Sequence, residues 1–137
     1  MTVSKTLRVG YSVDVILVRS PLKYLQDMIA QDRLLEGVVV SVMYFERFGI
    51  ERLKEYFKSK SIPIEPLKIE GLRLPVIMRM LEGFGIITQR IHSLMGEVCK
   101  ERNEIAHKLK HPDAIDKTKT KKTIEKAIEC LKALGLS

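Results

Sequence analysis

The segment from Asp32 to Lys60 restricts the fold of this chain more than any other part of the sequence. Its centre, "GVVVSVMYF", is apolar on nearly all sides, and apolar residues continue through its flank at helical spacing, including Phe45, Leu53 and Phe57. The centre alone also fits a β-strand, but the flanks favour one long helix. A helix with an apolar middle and amphipathic ends is typical of the centre of a bundle or of a subunit interface.

Further helices are predicted on both sides of this segment, from apolar spacing and from residues suited to helix starts. Their predicted starts are Ser20-Pro21, Pro75, Thr88, and Thr120 or Thr123. The sequence therefore predicts an all-α fold, an up-and-down bundle of four to five helices in a single domain over residues 1–137. Residues 1–19 fit a short strand or a helix start, and both readings stay open.

The charge of the chain favours a polyanionic partner. Its 24 Lys and Arg against 17 Asp and Glu leave a net charge of +7. Six lysines follow residue 107 within a short distance: Lys108, Lys110, Lys117, Lys119, Lys121 and Lys122. They are interpreted either as a solvated surface or as a flank that binds RNA phosphates.

Other classes of protein fit the sequence poorly. No apolar run approaches the ~20 residues of a membrane span, and "VDVILV" near the N-terminus lacks a basic leader, so we expect a cytoplasmic protein without a membrane partner. Cys99 and Cys130 are too few for a disulfide framework. His107 and His111 are four residues apart, but no thiol or carboxylate completes a metal site. No metal or other cofactor is predicted.

Three polar residues interrupt the apolar side of the helix predicted from residue 88 to about 110. That side runs through Ile91, Leu94, Val98, Arg102, Ile105 and Leu109. Asn103 and His107 are four residues apart and share a face, and Arg102 lies about 100° around the helix from Asn103. Burial of an unpaired charge is costly, so these groups must be paired, hydrated or functional. The alternative is a purely structural role, in which Arg102 pairs with Glu36 or Glu46 of another helix.

The segment "ERNEIAHKL", near the end of a long predicted helix, resembles the motif of the HEPN superfamily. In that family an Arg, commonly followed by Asn, precedes a His by five residues, and Arg102, Asn103 and His107 match this pattern. The helix that contains "MYFERFG" resembles an earlier helix of the family that often carries an acid, which maps to Glu46, with Glu36 as the competitor. The resemblance covers roughly residues 20 to 134. Many members have Tyr two places after the His, where this chain has Leu109.

The resemblance implies a metal-independent endoribonuclease that acts as a homodimer, with the two motif helices in contact. Histidine can give or take a proton near neutral pH, and arginine offers several donors to phosphate oxygens. Asn103 would orient His107 or donate to phosphate. A toxin or defence effector with a cognate antitoxin fits this reading. The alternatives are a non-catalytic HEPN-like module that binds RNA, a nucleotide or a partner protein, and a plain helical adaptor.

Overall fold

The computed structural model describes residues 20–108 and 114–137, and of Lys108 the backbone alone. Within these ranges the chain contains helices and no strand, which confirms the all-α prediction and excludes a strand at the centre of the long helix. The α-helices are α1 (Pro21–Ala30), α2 (Leu34–Ser59), α3 (Leu74–Gly83), α4 (Gln89–Lys108) and α5 (Lys117–Ala133). Two 3₁₀ turns, Glu65–Leu67 and Ile69–Gly71, lie between α2 and α3. The ambiguous segment 1–19 is outside the described residues.

Two of the predicted helix starts are confirmed by capping hydrogen bonds. At the start of α1, the Ser20 hydroxyl accepts from the amide of Lys23 at 3.4 Å. Before α4, the Thr88 hydroxyl accepts from the amide of Ile91 at 3.2 Å. In both cases the side chain satisfies an amide that has no partner within the helix.

The predicted start of the last helix is wrong. Helix α5 begins at Lys117, three residues earlier than Thr120, because the Asp116 side chain accepts from the amide of Lys119 at 3.1 Å. Thr120 and Thr123 lie inside the helix, where both are buried. The Thr123 hydroxyl donates to the carbonyl of Lys119 at 3.1 Å, so it needs no cap position to be satisfied.

Helix α2 is the centre of the bundle and packs against each of the other four helices. Its side chains Val38, Phe45 and Leu53 are completely buried. The buried apolar residues of all five helices form one continuous core. No helix in the described part of the chain is both long and apolar enough to cross a membrane.

Glycines let α2 approach its neighbours closely at two points. A Cβ atom added to Gly37 would lie 2.6 Å from Cδ1 of Ile124 in α5. A Cβ atom added to Gly49 would lie 2.9 Å from Cγ2 of Ile77 in α3. The absence of a side chain at both positions therefore sets the distance between α2 and these helices.

Candidate functional site

The buried side of α4 does not follow the predicted line through Arg102. Its buried apolar residues are Ile91, Met95, Val98 and Ile105. Between Val98 and Ile105, the buried residue is Glu101, which is 5% exposed, whereas Arg102 is only partly buried. The reason is that α5 covers the side of α4 on which Glu101 lies, so the buried line turns toward α5 in the last turns.

Glu101 connects the motif helix to α5. Its Oε2 atom lies 3.3 Å from the Thr120 hydroxyl, whose single hydrogen it shares with the Asp116 carbonyl at 2.9 Å. Its Oε1 atom lies 3.4 Å from Nζ of Lys119. A buried carboxylate requires such partners, because loss of hydration would otherwise destabilise it strongly. The contacts hold α4 in one rotation directly beside Arg102.

The sequence interpretation missed Glu101, although a signal was present. Glu101 follows Val98 by three residues and precedes Ile105 by four, so it fits the apolar side of the helix as well as Arg102 does.

Arg102 and Asn103 are brought together. The Arg102 Nε donates to Oδ1 of Asn103 at 3.0 Å, and no ion pair among the described residues includes Arg102. Glu36 is not its partner, because the Glu36 carboxylate accepts from the Tyr24 hydroxyl at 2.8 Å and from Arg33 at 2.5 Å. Asn103 therefore positions the guanidinium of Arg102, and no described carboxylate neutralises its charge.

Glu46 lies near the motif without pairing to it. Burial raises the pKa of the Cys99 thiol, the Arg102 charge lowers it, and the Glu46 charge raises it further. The Arg102 and Glu46 charges therefore both act on the Cys99 thiol, with opposite effects on its pKa. Burial also raises the pKa of Cys130 to about 12, and both thiols are free. Each sulfur is thus a protonated, largely apolar group.

His107 stands apart from the other two motif residues. Its side chain is exposed near the end of α4, one turn after Asn103 on the same face. Among the described residues no hydrogen bond joins it to Arg102 or Asn103. One chain therefore presents a guanidinium bonded to an amide, and an exposed imidazole one helical turn further along α4.

A groove of about 370 Å³ runs between α3 and α4 next to the motif. Arg102 and Asn103 line it, together with an apolar set: Leu74, Pro75, Met78, Gly96 and Cys99. His92 also lines it and pairs through Nδ1 with Oε1 of Glu82 at 2.5 Å. Because this pair joins α4 to α3, the two walls of the groove are connected.

The lysines predicted as an RNA-binding flank are partly engaged within the chain. Lys117 lies 2.7 Å from a carboxylate oxygen of Asp32. Lys119 lies between two acids of α4, Glu101 at 3.4 Å and Glu104 at 4.0 Å. These two lysines therefore help to attach α5 to the bundle and are less available to a ligand.

The other predicted lysines are either exposed without an ion pair or outside the described residues. Lys121 and Lys122 are exposed and take part in no ion pair with another described residue. Lys122 lines a cleft of about 460 Å³ between α4 and α5, where acids and lysines alternate. The side chain of Lys108 and the whole of Lys110 are outside the described residues, as are His111 and Leu109. The flank is thus mixed in charge where it is described.

Metal ligands are not clustered in residues 20–108 and 114–137, where no group of three or more His, Cys, Asp or Glu side chains is placed to hold an ion.

Comparison of the chain with models of protein families, with curated protein sequences and with solved structures finds no match. The function is therefore argued from the side chains themselves.

The contacts of Glu101 predict a large effect on stability. Glu101→Ala should lower the free energy of unfolding by about 1–3 kcal/mol, because Thr120 and Lys119 lose a buried partner. Glu97→Ala is the matched control, since Glu97 is exposed and pairs with Lys126 at the surface; its effect should stay below about 0.5 kcal/mol. Urea denaturation of both variants measures the difference, and equal effects would contradict the role of Glu101.

Proposed function

We propose that the chain is a HEPN-type, metal-independent endoribonuclease that acts as a homodimer through Arg102, Asn103 and His107. The main support is the unpaired guanidinium of Arg102, which Asn103 holds at 3.0 Å, with an exposed His107 on the next turn. This combination offers a phosphate-binding group beside a group that can transfer protons near neutral pH.

The reaction requires no redox partner or metal. A His107 imidazole takes the proton of the ribose 2′-OH, and the 2′ oxygen forms a bond to the adjacent phosphorus. The bond from phosphorus to the 5′ oxygen then breaks, and that oxygen receives a proton from a second acid. The products are a 2′,3′-cyclic phosphate and a 5′-OH. Arg102 stabilises the charge that develops on the phosphorane oxygens.

A second copy of the chain would supply the missing acid. One chain contributes one motif histidine, whereas the reaction uses a base and an acid at the same time. In a twofold dimer the same surface of each copy meets the other, so two His107 and two Arg102 side chains would face one RNA strand.

An exposed apolar stripe on α2 supports this dimer. Val39 and Met43 are one helical turn apart and remain 39% and 47% exposed. Glu46 follows within the next turn and lines one cleft with Met43. A second copy that covers the stripe would therefore bury the side of α2 that carries the proposed supporting acid.

The wider setting of this activity follows from its chemistry. Among the predicted lysines, Lys121 and Lys122 are available to hold RNA phosphates, because they are exposed and take part in no ion pair with a described residue. Glu46 would act as the supporting acid of α2. A cytoplasmic RNase of this kind fits a toxin or defence effector that a cognate antitoxin restrains.

A non-catalytic module that binds RNA, a nucleotide or a partner protein is the second candidate. The observation in its favour is the exposed His107, which no hydrogen bond to Arg102 or Asn103 orients. Such a module would bind RNA with an affinity that falls as salt rises, and would release no product.

Replacement of the motif histidine tests the enzyme directly. In EDTA, the wild-type chain should cleave single-stranded RNA, and His107→Ala should lose at least about a hundredfold in rate, because the proton acceptor is removed. Cleavage is followed on gels, and circular dichroism verifies that the variant is folded.

Gln26→Ala is the matched control for this assay. Gln26 is an exposed polar residue of α1, a helix that packs on α2 and α5, so the rate should remain that of wild type. Equal cleavage by His107→Ala and wild type would refute the proposed site. RNA binding without cleavage by any variant would favour the binding module.

A charge placed on the α2 stripe tests the dimer. Met43→Glu should convert the protein to a monomer and abolish cleavage, because two carboxylates would meet at the interface. Ile62→Glu places the same charge at another exposed apolar residue, which is 39% exposed, and should leave mass and rate unchanged. Light scattering gives the mass, and an active monomeric Met43→Glu would contradict the composite site.

A further inference from the structure

The arginines of the described residues divide into two groups. Arg33, Arg47, Arg52 and Arg90 each pair with a carboxylate. Arg73, Arg79 and Arg102 take part in no ion pair with any described residue. Arg79 and Arg102 line the groove between α3 and α4, and Arg73 directly precedes its Leu74. Two of the three unpaired guanidinium groups thus line one groove, which suits an anionic ligand.

The floor of this groove is apolar. Leu74 and Met78 are 7% and 6% exposed, and burial keeps the Cys99 thiol protonated. The volume of about 370 Å³ lies within the roughly 300–1,000 Å³ typical of small-molecule sites. The groove therefore suits a ligand with an apolar body and a negative charge at its edge.

Gly96 keeps the groove open. A Cβ atom added to Gly96 would meet nothing within 4 Å, unlike one at Gly37 or Gly49. A glycine inside a helix is less stable than an alanine by roughly 0.5–1 kcal/mol, and packing does not require a glycine here. Any side chain at this position would extend into the space that the groove leaves free.

We infer that the groove is a subsite for one unstacked nucleobase of single-stranded RNA, next to the phosphate that Arg102 holds. The faces of a base are flat and apolar and can pack on Leu74, Met78 and Cys99, as extruded bases pack on apolar side chains in other proteins. Asn103 offers a donor and an acceptor to its edge. The assignment rests on the proposed role of Arg102 as a phosphate-binding residue.

The same geometry selects against duplex RNA. In a duplex the bases are stacked and their edges are paired, so no base can enter the groove. The substrate class is therefore single-stranded RNA, such as a loop or an unpaired end, with Arg79 placed to bind a second phosphate of the strand.

Filling the groove tests this assignment. Gly96→Leu is introduced into the His107→Ala chain, which prevents cleavage, and binding of a labelled single-stranded oligoribonucleotide is measured by fluorescence anisotropy. Affinity should fall about tenfold, the effect of losing one base contact, with no loss of thermal stability. Gly83→Leu is the matched control, because Gly83 ends α3 with equally open space and does not line the groove; its affinity should stay within about twofold of the parent chain.

A second variant, Arg79→Ala, tests the same assignment if Gly96→Leu does not fold. Arg79→Ala removes an exposed side chain without an ion pair, so it should fold and weaken binding of the same oligonucleotide, with a salt dependence reduced by about one phosphate contact. The duplex form of the oligonucleotide should bind more weakly than the single strand to the parent chain.

The outcomes separate this inference from the proposed function. Unchanged affinity in both Gly96→Leu and Arg79→Ala overturns the subsite, even if the wild-type chain cleaves RNA. Loss of the dimer in Gly96→Leu at unchanged RNA affinity also overturns it and assigns the groove to a second copy. Groove-dependent binding of single-stranded RNA that wild type never cleaves supports the subsite and refutes the nuclease.

Discussion

The packing of α4 against α2 and α5 is the interaction on which the candidate site depends. Ile91, Met95 and Val98 bury one side of α4 in the core, and Glu101 continues that side through its contact with Thr120 of α5. Because these contacts fix the rotation of the helix, the neighbouring side chains of its last turns face a defined surface. The packing therefore fixes which side of α4 carries the motif, and such support is what a preorganised site would require.

The cations around α4 differ in whether they pair with an acid of the same chain. Lys117 and Lys119 pair with acids of other helices, and Lys119 balances the buried Glu101. Arg102 and Arg79 have no such partner and lie beside an apolar groove. Arginine suits this role better than lysine, because its planar fork of donors matches phosphate oxygens and packs against flat surfaces. An anion bound in this groove would therefore contact the arginines of α3 and α4.

The sequence predicted the helices well and the tertiary arrangement less well. Helix α2 was predictable because its flank has one periodicity. The placement of Arg102, Asn103 and His107 on one helix was predictable because they are close in sequence, whereas their role as one site stays a prediction. Whether Glu101 or Arg102 is buried depends on the position of α5. The spacing of residues within α4 carries no information about that position. The groove joins residues distant in sequence, so no local pattern indicated it. The HEPN resemblance stays a prediction.

In the proposed reaction, the dimer of this chain cleaves RNA by attack of the ribose 2′-OH without a metal. The most direct measurement compares an oligoribonucleotide with the same oligonucleotide carrying a single 2′-deoxy sugar at the cleaved linkage, both incubated with the wild-type chain in EDTA. We expect that only the all-ribose strand is cut at that linkage, and that mass spectrometry finds a 2′,3′-cyclic phosphate there. Cleavage of the deoxy linkage, or activity that EDTA abolishes, would contradict it.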